Sequence, residues 1–262
     1  MSSNDSTSKT LIVAFAVSIV CAIFVSAATV MLKPVQEVNK ALDRKRNILA
    51  AAGMLEEGRS VEEQFSQIIT RVVDLRTGKF VDDIDPQKYD QHKAAKDPST
   101  SDKLSAEEDL AKIGRRENYA VVYVVESSDG DIDKVILPVR GYGLWSTMYG
   151  FVALEDDANT VAGLGFYEHG ETPGLGGEVD NPRWKIQWKG KQAFDIQGNL
   201  KIQVIKGRVD SGSPEAIYEV DGLSGSTLTT RGINNMIRFW LGENGYGPFL
   251  DNLKKEVKHE QL

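Results

Sequence analysis

One cysteine, Cys21, occurs in 262 residues. That excludes an intramolecular disulfide framework, a Cys-built zinc finger and a cysteine-ligated iron–sulfur cluster supplied by this chain alone. Histidine is almost as scarce. His92, His169 and His259 lie far apart in sequence, which argues against a histidine metal cluster. Positive charge is in deficit too: 31 Lys and Arg face 38 Asp and Glu, a formal net charge of −7. No cationic surplus exists to neutralise phosphates, so nucleic acid is not an expected partner. Solenoid repeats and regular βαβ alternation are also missing. What remains is 41% hydrophobic and 26% charged, a globular composition.

The mean hydropathy of −0.30 conceals one long apolar run. Residues 11–32 (LIVAFAVSIVCAIFVSAATVML) contain no charge and are bracketed by Lys9 and Lys33. As a helix this run is roughly 33 Å long, enough for a hydrocarbon core of about 30 Å. It exceeds the usual apolar region of a signal peptide, about 7–15 residues. The expectation is therefore a retained single span contacting lipid through residues 11–32, with a short tail over 1–10 and a globular domain over 33–262. A cleaved signal, given the small residues Ser26, Ala27 and Ala28, and a buried core helix are the other readings. Charge counting does not fix sidedness. Lys33, Lys40, Arg44, Lys45 and Arg46 follow the span, but large domains translocate largely regardless of flanking charge.

The periodicity beyond the span predicts a helix over 33–55, a break at Gly53 to Gly58, and a second helix over 61–73 opened by a Ser60/Glu63 capping box. Residues 82–109 read as a charged surface loop with short helical pieces. Strands are expected over 119–125, 135–139, 151–154, 161–167, 202–205 and 216–220. A short helix should start at Asn181-Pro182 and continue to Lys189. A last amphipathic helix is expected over 229–241, with Ile233, Met236, Ile237, Trp240 and Leu241 on one face. The tail from Asn252 onward is charged and expected to be mobile. Strands mixed with helices indicate an α+β class.

Residues 221–230 (DGLSGSTLTT) lie between an expected strand and the amphipathic helix. Small residues permit close backbone approach. A helix N-terminus attracts anions through its unpaired N–H groups and its dipole. Two readings stay open here: a phosphate seat without a Walker lysine, or ordinary Ser/Thr capping. A second segment, residues 169–177 (HGETPGLGG), holds Pro173 and three glycines that permit tight turns against a planar ring; a ligand-free β-turn is the other reading. Residues 141–150 mix glycines with aromatics. Trp145 and Met148 are candidates to flank a flat ring, or they line a core-edge loop. His169 reads more simply as a hydrogen-bonded structural histidine than as a proton-tuning group.

Asp221, Ser224, Gly225 and Thr227 follow the pattern Asp-x-x-(Ser/Thr)-Gly-Ala-Thr. This resembles the flavinylation motif of bacterial respiratory flavoproteins, in which the final threonine is esterified to the phosphate of FMN by a flavin transferase. Ser226 stands where the pattern has alanine and adds a hydroxyl with little volume. Thr229 and Thr230 are alternative acceptors. The Gly-rich segment is similar to one shared by the NqrC family, which belongs to the Na+-translocating NADH:quinone oxidoreductase, and its counterpart in the related Rnf complex. The likeness to the NqrC family extends over the anchor, residues 42–50, the Asn181-Pro182-Arg183-Trp184 helix and the threonine motif.

This resemblance implies a membrane-anchored electron carrier whose α+β domain binds FMN, covalently through Thr227. It implies FMN contacts from Asp221, Ser224, Gly225, Ser226, Leu228 and Thr229, from Glu171, Thr172, Gly174, Leu175 and Gly176, and from Trp145. It further implies partner subunits of a membrane NADH:quinone oxidoreductase, a flavin transferase for maturation, and a bacterial inner-membrane location with a periplasmic domain. An Rnf-type electron-transport protein and a flavin-free anchored binding or assembly module are the rival readings. Nothing in the apolar span offers acid or amide ligands for a sodium path.

Overall fold

The computed structural model describes residues 6–260, with side chains through Lys255. It divides into two compact units, Met1–Arg44 and Lys45–Leu262. Helix α1 (Thr7–Ala51) is continuous where two successive helices were expected, and Pro34 lies inside it. The helix is long and apolar enough to cross a membrane. Large side chains from Leu11 to Leu32 are exposed, whereas a core helix would bury them. The expected break follows: α1 ends at Ala51, and Gly53 adopts φ 69°.

The second unit is built on a sheet. A five-residue helix, α2 (Val61–Phe65), precedes strands β1 (Ile68–Asp74) and β2 (Lys79–Val81). Helix α3 (Gln91–Ala94) and strands β3 (Ser101–Lys103) and β4 (Arg115–Glu117) interrupt the charged loop. Strands β5 (Tyr119–Glu126), β6 (Ile132–Tyr142), β7 (Thr147–Glu155) and β8 (Val161–Glu168) follow. The six-stranded sheet has the order β2-β1-β5-β6-β7-β8 and is antiparallel throughout. After it come α4 (Pro182–Lys185), the parallel pair β9 (Gln203–Val204) and β10 (Glu219–Val220), and helices α5 (Thr227–Leu241) and α6 (Gly247–Glu260).

Both faces of the sheet are covered, which explains why β5 is apolar at every interior position. Ala120, Val122 and Val124 join a core with Ile233, Met236 and Trp240 of α5 and Phe249 and Leu250 of α6. Val121, Tyr123 and Val125 point the other way, into a core with Ile48 and Leu49. Each fully buried side chain of this size contributes about 1.5–3 kcal/mol of transfer free energy.

Four local expectations are corrected. The helix predicted over 61–73 stops at Phe65, and Ile68–Asp74 is a strand paired along its whole length with β5. Phe65, Ile68, Ile69 and Val72 happen to satisfy helical spacing, but the β-branched run is recruited as the neighbour of β5. The capping box is not formed: Ser60 makes no side-chain cap bond, and Glu63 pairs with Arg59. The expected strand over 216–220 is mostly 3-10 helix, with only Glu219–Val220 extended. The tail from Asn252 is helical through Glu260, and the Asn252 side chain donates to the carbonyls of Thr77 and Gly78.

Candidate functional site

Helix α5 delivers the threonine motif. Its apolar stripe buries Ile233, Met236, Ile237 and Trp240. Extended backward by three and four residues, the same stripe carries Thr229 and Thr230 inward. Thr229 is 0% exposed, and Thr230 is 6% exposed with its hydroxyl accepting from the Leu223 amide at 3.0 Å. Thr227 falls on the opposite side and is exposed, as are Leu228, Ser224 and Gly225. Of the three threonines, only Thr227 is exposed.

Capping does not account for the motif. Ser226 occupies the N-cap position but makes no cap hydrogen bond; its hydroxyl donates to Thr229 Oγ1 at 2.9 Å. The first-turn N–H groups of α5 are thus left without a side-chain cap among the described residues, an arrangement suited to an anion. Gly225, at φ 74°, turns the chain into the helix where a side chain would be strained. Asp221 is engaged by other segments. Its Oδ1 accepts from the Val209 amide at 2.7 Å, and its carbonyl accepts from Trp184 Nε1 at 2.8 Å, so it fixes the approach to the turn.

The Gly-rich segment meets the motif through Glu171. This residue is 5% exposed. Its Oε1 accepts from the amides of Leu144 and Trp145, both at 3.0 Å, and its Oε2 accepts from the Thr229 hydroxyl at 2.5 Å. Burial is the largest single influence on this carboxyl and would raise its pKa. The Thr229 hydroxyl and the amides of Trp145, Leu144 and Ser146 together outweigh it, leaving the pKa below the ordinary 4.5. A Cβ at Gly176 would lie 2.6 Å from Thr229 Oγ1 and 2.8 Å from Glu171 Oε2, so glycine is what allows the loop to close on the pair.

The remaining candidates divide by exposure. Thr172, Gly174 and Leu175 sit on the exposed loop, with Leu175 at 44% and its Cδ2 3.1 Å from where a Gly225 Cβ would be. Trp145 is 66% exposed. Met148 is 1% exposed and belongs to the core, so it does not flank an exposed ring. His169 is held by protein: Nδ1 accepts from the Glu171 amide at 3.2 Å, which leaves Nε2 to donate to Asp180 Oδ2 at 2.8 Å.

A groove that the sequence did not reveal opens beside Thr227. Its volume is about 180 Å³, and it is lined among others by Leu228, Arg231, Tyr142, Leu144, Leu110 and Lys112. Arg231 follows Thr227 by four residues inside a helix, and that spacing was the available signal.

Relatives of known identity share this architecture. A family model described as an FMN-binding domain matches residues 143–242. The chain is 56% identical to NqrC of the Na(+)-translocating NADH-quinone reductase of Pseudomonas aeruginosa, covering 97% of this chain and 99% of that protein. It is 53% identical to the protein of the same name from Vibrio anguillarum, covering 97% of each. The crystal structure of Shewanella oneidensis NqrC superposes with a TM-score of 0.75 at 38% identity, covering 83% of this chain and 99% of that one. A 56% identity that runs almost end to end is decisive, and the chain belongs to the NqrC family of the Na(+)-translocating NADH-quinone reductase.

Proposed function

We propose that this chain is a single-span electron-carrying subunit of a Na+-translocating NADH-quinone reductase, with FMN joined by a phosphoester to Thr227 Oγ1. The observation that carries the proposal is the exposed Thr227 on a helix N-terminus without a side-chain cap, beside two threonines that are buried. The residues fit the group. The first-turn amides and the α5 dipole would seat the phosphate, and the exposed surfaces of Trp145, Leu175 and Leu228 suit a planar ring. When bound, the flavin supplies reversible electron transfer, and the protein positions it and sets its potential. Thr227 is an anchor, not a nucleophile of turnover. Ester formation needs an activated flavin phosphoryl donor: Thr227 Oγ1 bonds to phosphorus, its proton passes to a base, and the donor's leaving group departs. A flavin transferase would supply that chemistry, and the neighbouring subunits would supply and remove electrons. The apolar part of α1 would anchor the chain in the bacterial inner membrane, with the large domain on the periplasmic side.

The test is the intact mass of chain purified from a host that contains the transferase, read beside in-gel flavin fluorescence after denaturation. A mass increment of one FMN and a fluorescent band, both lost in Thr227→Ala, are expected. An unmodified mass, or a band that persists in Thr227→Ala, overturns the assignment. Peptide mapping should find the flavin on Thr227 and not on Thr229.

A further inference from the structure

We infer that Arg231 and Lys112 form a cationic rim beside Thr227 that faces the pyrimidine end of the tethered flavin and favours its reduced state. The inference rests on the FMN–Thr227 reading above. The groove of about 180 Å³ lies between α5, the end of β6 and the loop at 110–112. Leu228 and Arg231 line it; Leu228 adjoins Thr227, and Arg231 follows Thr227 by one helical turn. Thr227 does not itself line the groove, and a group tethered there would reach it past Leu228. The helix is pressed against the groove's other wall, since a Cβ at Gly232 would lie 2.5 Å from the Tyr142 carbonyl oxygen.

Two properties of the lining point to one class of occupant. Its walls keep large apolar groups open to solvent: Leu110, Tyr142 and Leu228 are 46%, 41% and 52% exposed. Its rim carries two cations that have no ion-pair or side-chain hydrogen-bond partner among the described residues, in a chain of net charge −7. Lys112 is held in place by its backbone. It sits at φ 54°, its amide donates to the Asp109 carbonyl at 3.1 Å, and the next two amides donate to the Asp109 carboxylate at 2.7 and 2.8 Å. The Ala111 carbonyl accepts from the Tyr142 amide at 2.8 Å, which ties this loop to β6. A planar apolar ring with one end that becomes anionic is complementary to such a groove.

Uptake of two electrons and one proton by the oxidised ring adds one negative charge, delocalised over the pyrimidine end. Fixed positive charge nearby stabilises that form over the oxidised one. The electrons come from a reduced redox centre of the complex, and the proton comes from solvent.

The experiment uses the full chain, flavin-loaded in a host with the transferase. Arg231→Gln, Lys112→Gln and the double variant are compared with Arg238→Gln. Arg238 is an exposed cation on the same helix, about 16 Å along the axis from Thr227 and beyond the screening length of about 8 Å. Loading is read by intact mass and the midpoint potential by dye-coupled titration at low and high salt. Unchanged loading is expected, with each rim variant moving the equilibrium about fivefold toward oxidised flavin, roughly 20 mV for a two-electron couple. The shift should shrink at high salt and be absent in Arg238→Gln, and Arg231→Lys should keep the parental potential. Loaded rim variants with the parental potential, or an equal shift in Arg238→Gln, overturn the inference. Loss of loading at unchanged Tm overturns it too, by assigning the cations to the phosphate and not the ring. Absence of flavin from the parental chain fails the underlying reading instead, and is distinguished by mass alone.

Discussion

Glu171 acts from beneath the surface. Its carboxylate joins the turn bearing Trp145 to the first turn of α5 through three hydrogen bonds. Both of its oxygens are engaged by protein donors, Thr229 and two backbone amides. Glu171→Gln keeps the shape but turns an amide nitrogen toward donors, and should cost about 1–3 kcal/mol in urea unfolding. Thr229→Val removes one donor from Glu171 and should cost about 1 kcal/mol while leaving flavin on Thr227 by mass. The pH dependence has a definite sign. The folded pKa of Glu171 lies below its ordinary value, so its stabilisation is present above the unfolded pKa and is lost as pH falls through the folded one. Urea midpoints measured between about pH 3 and pH 6 should fall less steeply for Glu171→Gln than for the parent.

At the scale of elements, α5 and the Gly-rich loop interlock. Gly176→Ala would place a methyl against both members of the Thr229–Glu171 pair, and a destabilisation of about 1–3 kcal/mol with lowered flavin loading is expected. The α5 helix was legible in the sequence because its stripe repeats at three and four residues, and the structure extends it only to Thr227. Strand β5 was legible because both faces are buried and its run is unbroken. Strand β1 was not legible, because four apolar residues in it and before it fit a helix as well as they fit a strand. Its choice was made by seven pairings with β5, a partner distant in the sequence.

For the whole molecule, a buried charged pair ties the β3–β4 ribbon to strand β6 of the six-stranded sheet. Glu117 is 0% exposed and accepts from Arg140, which is 8% exposed, and from Gln91 Nε2 at 2.5 Å. Arg140→Met strands a buried carboxylate and should cost about 3–5 kcal/mol in unfolding free energy, whereas a joint Glu117→Leu/Arg140→Met change should recover most of that loss. A chain beginning at Lys33 omits the apolar run and should be soluble without detergent while keeping its flavin. Precipitation of that truncated chain would argue that the span is required for folding.

The sequence by itself determined the long apolar N-terminal run, the α+β class, the exclusion of a cysteine-built metal centre supplied by this chain alone, and the threonine motif. These depend on composition and on spacings of a few residues, which local physics reads directly. Only the tertiary structure decided which threonine is open, because exposure depends on what the α5 stripe packs against. It alone brought Glu171 to Thr229 across 58 residues, and Lys112 to the groove beside Arg231. Such contacts are set by how the sheet and helices close on one another, and no short run of residues encodes them.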